Sequence, residues 1–183
     1  MRRVFFGLRF SSKFQSALSS SLDELRTTSP SAIRWTAKED YHLTLLFLGM
    51  ISDDRYEILR QMSFDQELLP TSYDLEFDGI GFFPSQDKAK IAWLGIKAPS
   101  QALTELNTRL CKVFTNWIDP RKSETFKAHI TIARASYGID PNLFEKIKLN
   151  FRKEPIHEFY LYESLGDQNP RYQIRSIYPL PPK

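Results

Sequence analysis

The chain has 183 residues, 42% hydrophobic and 26% charged, with a formal net charge of +3. Those values suit one globular domain over 1–183, or two small lobes sharing a core with no linker between them. The mild basicity fits an anionic ligand and excludes the strongly basic signature of a dedicated nucleic-acid wrapper. Cys111 is the single cysteine, which rules out a disulfide framework and a cysteine-based zinc site within one chain. The opening MRRVFFGLRF is interrupted by Arg9 too early for a signal peptide, and no segment is long enough to span a bilayer, so the expected setting is the cytoplasm with no membrane partner.

In chain order, Val4, Phe6, Leu8 and Phe10 alternate with Arg3, Gly7 and Arg9 and predict a strand. Ser11 or Ser12 caps a helix carrying Phe14, Ala17, Leu18, Leu22 and Leu25. AIRWT (32–36) predicts a short strand and YHLTLLFLG (41–49) a stronger one, closed by Gly49. Ser52 and two aspartates open a second helix. SYDLEFDGIGFF predicts a half-exposed strand, a turn follows Phe83-Pro84, and KIAWLGI (90–96) returns. A third helix from Pro99 has an apolar stripe of Ala102, Leu103, Leu106, Leu110, Val113, Phe114 and Trp117, which reads as a core face. FKAHITIARAS (126–136) predicts a strand, and Asp140-Pro141 a short helix through Phe144 and Ile147. Two late strands, 156–164 and 171–180, flank a turn at GDQNP. Mixed helices and hairpin-like strand neighbours give an α+β class with antiparallel sheets.

One pattern occurs twice. His42-Leu43-Thr44-Leu45 returns 87 positions later as His129-Ile130-Thr131-Ile132. Period two puts histidine and threonine on one strand face and the aliphatic pair on the other. Either copy alone is better read as a half-buried histidine beside a good strand former. The repetition reverses that judgement, because two of the three histidines in the chain occupy the same place in the same pattern. A zinc site normally needs a third protein ligand, and no carboxylate stands at a suggestive spacing. A nucleophilic triad leaves the duplication unexplained. Paired imidazoles explain it, with one neutral as base and one protonated as acid on opposite sides of a phosphorus, the hydroxyls on the non-bridging oxygens and no metal or other cofactor required.

These paired H-x-T motifs resemble those of the two-histidine (2H) phosphoesterase superfamily, and within it the bacterial and archaeal RNA 2′,3′-cyclic phosphodiesterases, historically called 2′-5′ RNA ligases. The similarity runs through RRVFFGLRF, RWTAKEDYHLTLLFLG, GIGFFPS with IAWLGI, FKAHITIAR, FYLYES and PRYQIRSIYPL, nearly the whole chain. It implies an α+β fold of two pseudo-symmetric lobes, each an antiparallel sheet packed with helices, enclosing a central cleft. It implies metal-independent hydrolysis of an RNA or oligonucleotide 2′,3′-cyclic phosphate end to a 2′-phosphomonoester, with weak reverse 2′-5′ ligation. Carried over residue by residue, His42 is the proton donor and His129 the proton acceptor, while Thr44, Thr131 and Arg134 bind the phosphate. Arg134 stands at an odd offset from His129 that ideal strand alternation does not explain. Phe47 matches an aromatic position, with a core role as the competing reading. Two positions depart from the pattern: Ala128 where relatives commonly have proline, and Leu46 where they often carry a lysine, which puts contacts to longer RNA in doubt. His157 has no threonine partner and reads as structural or exposed. The expected partner is RNA with a cyclic end, and the chain is expected to act as a monomer. The alternatives are a phosphodiesterase on 2′-5′ oligonucleotides or small cyclic nucleotides, and a non-catalytic RNA-end-binding module.

Overall fold

The computed structural model describes residues 1–97, 100–118, 126–145, 147–149, 151, 153–166 and 168–183. Among the described residues the strands are β1 (Arg2–Arg9), β2 (Ile33–Trp35), β3 (His42–Ile51), β4 (Tyr73–Phe83), β5 (Ile91–Ile96), β6 (His129–Ala135), β7 (Lys153–Ile156), β8 (Glu158–Ser164) and β9 (Tyr172–Pro179). The α-helices among the described residues are α1 (Ser12–Ser21), α2 (Asp23–Thr28), α3 (Asp53–Gln61) and α4 (Gln101–Val113). The strands join in the order β7-β4-β5-β6-β3-β1-β8-β9, with β2 added on β6, and every pairing is antiparallel. The expected lobes are the two halves of this path. They meet at one bridged pair, Leu43 opposite Ile130, the aliphatic residues inside the two H-x-T motifs.

The α1 and α4 helices each cover the half other than the one their preceding strand sits in, whereas α3, which follows β3, stays on its own half, where the Tyr178 hydroxyl of β9 donates to the Leu59 carbonyl. The α1 helix, which follows β1, is capped by the Ser11 hydroxyl accepting from the Phe14 N–H. Its Phe14 ring lies 4.5 Å from Phe77 of β4. The α4 helix, which follows β5, buries Leu103, Leu106 and Leu110. Asn107 of that helix donates to the Leu45 carbonyl of β3 at 2.8 Å, and Phe114 at its end meets Phe6 of β1 at 5.0 Å. Helices therefore fill the convex side of both H-x-T strands, leaving the concave side for side chains that do not pack. Leu43, Leu45, Ile130 and Ile132 are all at most 2% exposed. At about 25 cal/mol per Å² of apolar surface removed from water, such side chains contribute roughly 1.5–3 kcal/mol each, enough to fix the register that aims their polar neighbours the other way.

Several expectations need correction. The first helix breaks at Leu22 into α1 and α2. Gly49 does not end β3 but lies within it at φ 77°, where β1 and β3 slip register, a conformation favourable to glycine. Val113 is 49% exposed, outside the apolar face of α4. The expected strand at 156–164 is β8 from Glu158 on; its first residue, Ile156, instead ends β7, which pairs with β4 while β8 pairs with β1, and exposed His157 stands between them. Leu46, 8% exposed, packs in the core, so a lysine there would not have faced the cleft. The predicted helix start at Pro99 lies outside the described residues, as does Asp167 of the GDQNP turn; Ser100 caps α4. Among the described residues no helix is long and apolar enough to cross a membrane.

Candidate active site

The concave face opens into a cleft of about 690 Å³ above the β3–β6 seam. His42, Thr44, His129, Thr131 and Arg134 all line it. Antiparallel register about Leu43–Ile130 sets His42 across from Thr131 and Thr44 across from His129, so the imidazoles occupy a diagonal. Diagonal neighbours of an antiparallel pair are about 7–8 Å apart at their bases, room for one phosphate between two rings.

A repeated backbone device adds the third cleft residue of each strand. In pairing with β5, β6 skips Ile132: Trp93 faces Thr131 and Ala92 faces Ala133. In pairing with β1, β3 skips Leu45: Phe6 faces Leu46 and Gly7 faces Thr44. Each bulge inserts one residue and shifts the side-chain alternation by one. The burial sequences become the same on both strands, with two consecutive buried residues after the threonine and then an exposed one. That exposed residue, five after the histidine, is Phe47 on β3 and Arg134 on β6. The bulge thus accounts for the odd offset of Arg134, whose Nη2 reaches Thr131 Oγ1 at 3.5 Å. Phe47 is 44% exposed in the cleft wall with the Arg3 guanidinium 5.0 Å over its ring, so the core reading of Phe47 fails. At Gly7 the backbones come so close that an added Cβ would lie 2.8 Å from the Leu43 carbonyl oxygen, which requires glycine opposite Thr44.

The two histidines are also oriented alike. His42 Nδ1 lies 2.7 Å from the Asp40 carbonyl oxygen, and His129 Nδ1 lies 2.6 Å from that of Lys127. A carbonyl only accepts, so Nδ1 carries the proton in both rings and Nε2 is left for chemistry. Aromatic walls surround each ring. Phe5 stands 5.0 Å and Tyr172 4.5 Å from His42; Phe83 stands 5.0 Å and Trp93 6.0 Å from His129. Burial pushes the His42 imidazolium pKa down to about 4, helped by the nearby His129 and Arg134 charges. Burial also lowers His129, with Arg134 and Lys127 adding to it.

The lock on each anchoring carbonyl differs. The Asp40 carboxylate accepts from the Arg171 backbone N–H at 3.1 Å, tying His42's turn to the far cleft wall that carries Arg171 and Tyr172. The Lys127 ammonium lies 5.1 Å from the Phe83 ring centre and 4.6 Å from that of Trp93. Sequence reasoning missed Asp40, Lys127 and Tyr172; each acts through backbone or ring contacts that no side-chain pattern announces. Among the described residues no cluster of three or more His, Cys, Asp or Glu stands together as a metal site.

A sheet of antiparallel strands carrying two H-x-T strands side by side under one cleft defines the class of two-histidine phosphoesterase folds. A family model described as the 2′-5′ RNA ligase superfamily matches residues 14–168. The chain belongs to that superfamily. It is similar to a protein of Archaeoglobus fulgidus named RNA 2′,3′-cyclic phosphodiesterase, 25% identical over 153 residues, covering 81% of this chain and 84% of the relative. An Aquifex aeolicus protein of the same name is 26% identical over 149 residues, covering 77% and 78%. The crystal structure of E. coli LigT in apo form has the same fold, with TM-score 0.79, 22% identity and 98% of each chain covered.

Proposed function

We propose that the chain hydrolyses RNA or oligonucleotide ends bearing a 2′,3′-cyclic phosphate to 2′-phosphomonoesters. The observation that carries this reading is the twinned geometry: two imidazoles on a diagonal, each with Nδ1–H held by the carbonyl two residues earlier. The names of the A. fulgidus and A. aeolicus relatives support the substrate class. We read the chain as acting as a monomer, with His42, Thr44, His129, Thr131 and Arg134 meeting in a single cleft, and the RNA substrate supports the cytoplasm as its setting.

In the proposed step neutral His129 Nε2 takes a proton from water as its oxygen attacks phosphorus. The bond to the 3′ oxygen breaks in line, and His42 Nε2–H gives that oxygen its proton. The 2′ ester bond stays intact. Thr44, Thr131 and Arg134 donate to the non-bridging oxygens, where charge accumulates. His42 is an unwilling cation in the free cleft, and the entering phosphate supplies the negative charge that lets it hold a proton. Run backwards, the same step joins a 5′-hydroxyl in place of water, a weak 2′-5′ ligation.

His42→Ala and His129→Ala are each expected to lower kcat on a cyclic end by about 10²–10⁴-fold. EDTA is expected to change nothing, and phosphorus NMR should show the product phosphate at the 2′ position. Turnover that survives either substitution, or product at the 3′ position, would refute the assignment. Faster cleavage of 2′-5′ oligonucleotides than of cyclic ends would move the chain to the alternative substrate.

A further inference from the structure

Beside the reacting groups the cleft holds more positive charge than one phosphate needs. Arg34 of β2 lies directly across from Arg134 of β6. Arg34 is exposed and lines the cleft, next to buried Ile33 and to half-buried Trp35, which also borders the cleft and whose indole donates to Ser29 Oγ and packs on Phe144. Like charges directly opposite each other on a sheet repel. Among the described residues no carboxylate pairs with either guanidinium; the one acceptor that meets Arg134 is the neutral Thr131 hydroxyl. Asp40 is the carboxylate among the described residues of the cleft wall, and it is held by the Arg171 N–H. An anion between the two arginines would relieve their repulsion. Arg134 reaches back to Thr131 and the reacting phosphate, which leaves Arg34 for a neighbouring charge about one residue-width further out.

Resting on the cyclic phosphodiesterase reading, we propose that Arg34, beside Arg134, forms a second phosphate subsite for the 5′-phosphate of the terminal nucleotide, so that the cleft selects a 5′-phosphorylated end over a bare nucleoside cyclic phosphate. Guanidinium–phosphate pairing is bidentate and charge-assisted, which suits discrimination by a planar fork.

The test measures kcat/KM on a nucleoside 2′,3′-cyclic phosphate and on the same compound carrying a 5′-phosphate, for the intact chain, R34Q and R34K. Calorimetric titration with a nucleoside 2′-phosphate and its 2′,5′-bisphosphate supplies a readout independent of turnover. The unaltered chain is expected to favour the 5′-phosphorylated member of each pair by about tenfold or more, in KM and in Kd alike. R34Q should bring both ratios close to one, and R34K should restore part of them. Equal handling of the two members by the unaltered chain, or an R34Q loss that is the same for both, would overturn the subsite and leave the phosphodiesterase reading intact. Absence of turnover on both cyclic phosphates, with the bisphosphate preference present and erased by R34Q, would sink the phosphodiesterase reading and keep the anion subsite.

Discussion

The β3 and β6 strands share a backbone and differ in what they hang on it. Both carry histidine and threonine two apart, both insert a bulge residue after the threonine, and both lock Nδ1 to the carbonyl two residues before the histidine. The bulge then presents one further side chain to the cleft, an aromatic ring on β3 and a cation on β6. Both imidazoles are depressed in their affinity for a proton, that of β3 as far as about 4. A duplicated scaffold thus supplies two equivalent mounts, and single residues make them differ in use. In the proposed mechanism Arg134 stabilises charge beside His129, while Phe47 offers a flat apolar surface on the His42 strand.

The fifth positions test that division most severely. On the proposed mechanism Arg134→Gln removes a cation from the place where phosphate charge builds, and kcat/KM is expected to fall about 10²–10³-fold, as when one donor to a developing oxyanion is lost. Phe47→Ala removes a stacking surface. Its expected cost is about tenfold, in KM, on substrates with a base, and little on a cyclic phosphate lacking one. Steady-state kinetics on both substrate types decides between them. If Phe47→Ala costs as much as Arg134→Gln on the baseless substrate, the two mounts do not have separate roles.

Proton affinity gives the next contrast. In the proposed mechanism the productive free form has His42 protonated and His129 neutral. Burial and neighbouring cations hold His42 near 4, and His129 is held below its ordinary value of 6.5. As pH rises above both values His42 has lost its proton, so kcat/KM should peak below 6.5 and fall about tenfold per unit beyond. In the complex the phosphate anion favours the protonated imidazole, so the optimum of kcat should lie at higher pH than that of kcat/KM. A kcat/KM that stays flat from about pH 6.5 to 8 would contradict this pairing of roles.

Period-two alternation made the histidine and threonine of each strand legible from the sequence, because it needs only local backbone geometry. It could not place Arg134 or Phe47: the bulge at Ile132 or Leu45 depends on the partner strands β5 and β1, and an extra residue looks like any other in the chain. The split of 153–164 into β7 and β8 was hidden for a similar reason. EPI and EFYLYES join as one strand-like run across His157, and only their different partners, β4 and β1, separate them. Antiparallel α+β architecture was readable from the hairpin-like neighbours. The crossing of α1 and α4 to opposite halves was not, since an apolar helix face does not name the sheet it will cover.

The anchors of the two histidines give the smallest and most local contrast. Asp40 holds its turn through a charge-assisted hydrogen bond from the Arg171 N–H, an interaction worth about 1.5–3 kcal/mol. Lys127 rests on Phe83 and Trp93, contacts worth about 0.5–1 kcal/mol. Asp40→Ala should therefore release the wall that carries Tyr172 against the His42 ring and lower kcat about tenfold. Asp40→Asn keeps an acceptor oxygen and should recover most of that loss. Lys127→Ala should cost no more than a few-fold, because the carbonyl that orients His129 is backbone and survives the substitution. The measurement is kcat at saturating substrate for the three variants, with the imidazole nitrogen NMR shifts recorded to follow the Nδ1–H tautomer of each ring. A tautomer change at His129 in Lys127→Ala, with none at His42 in Asp40→Ala, would reverse the ranking of the two anchors.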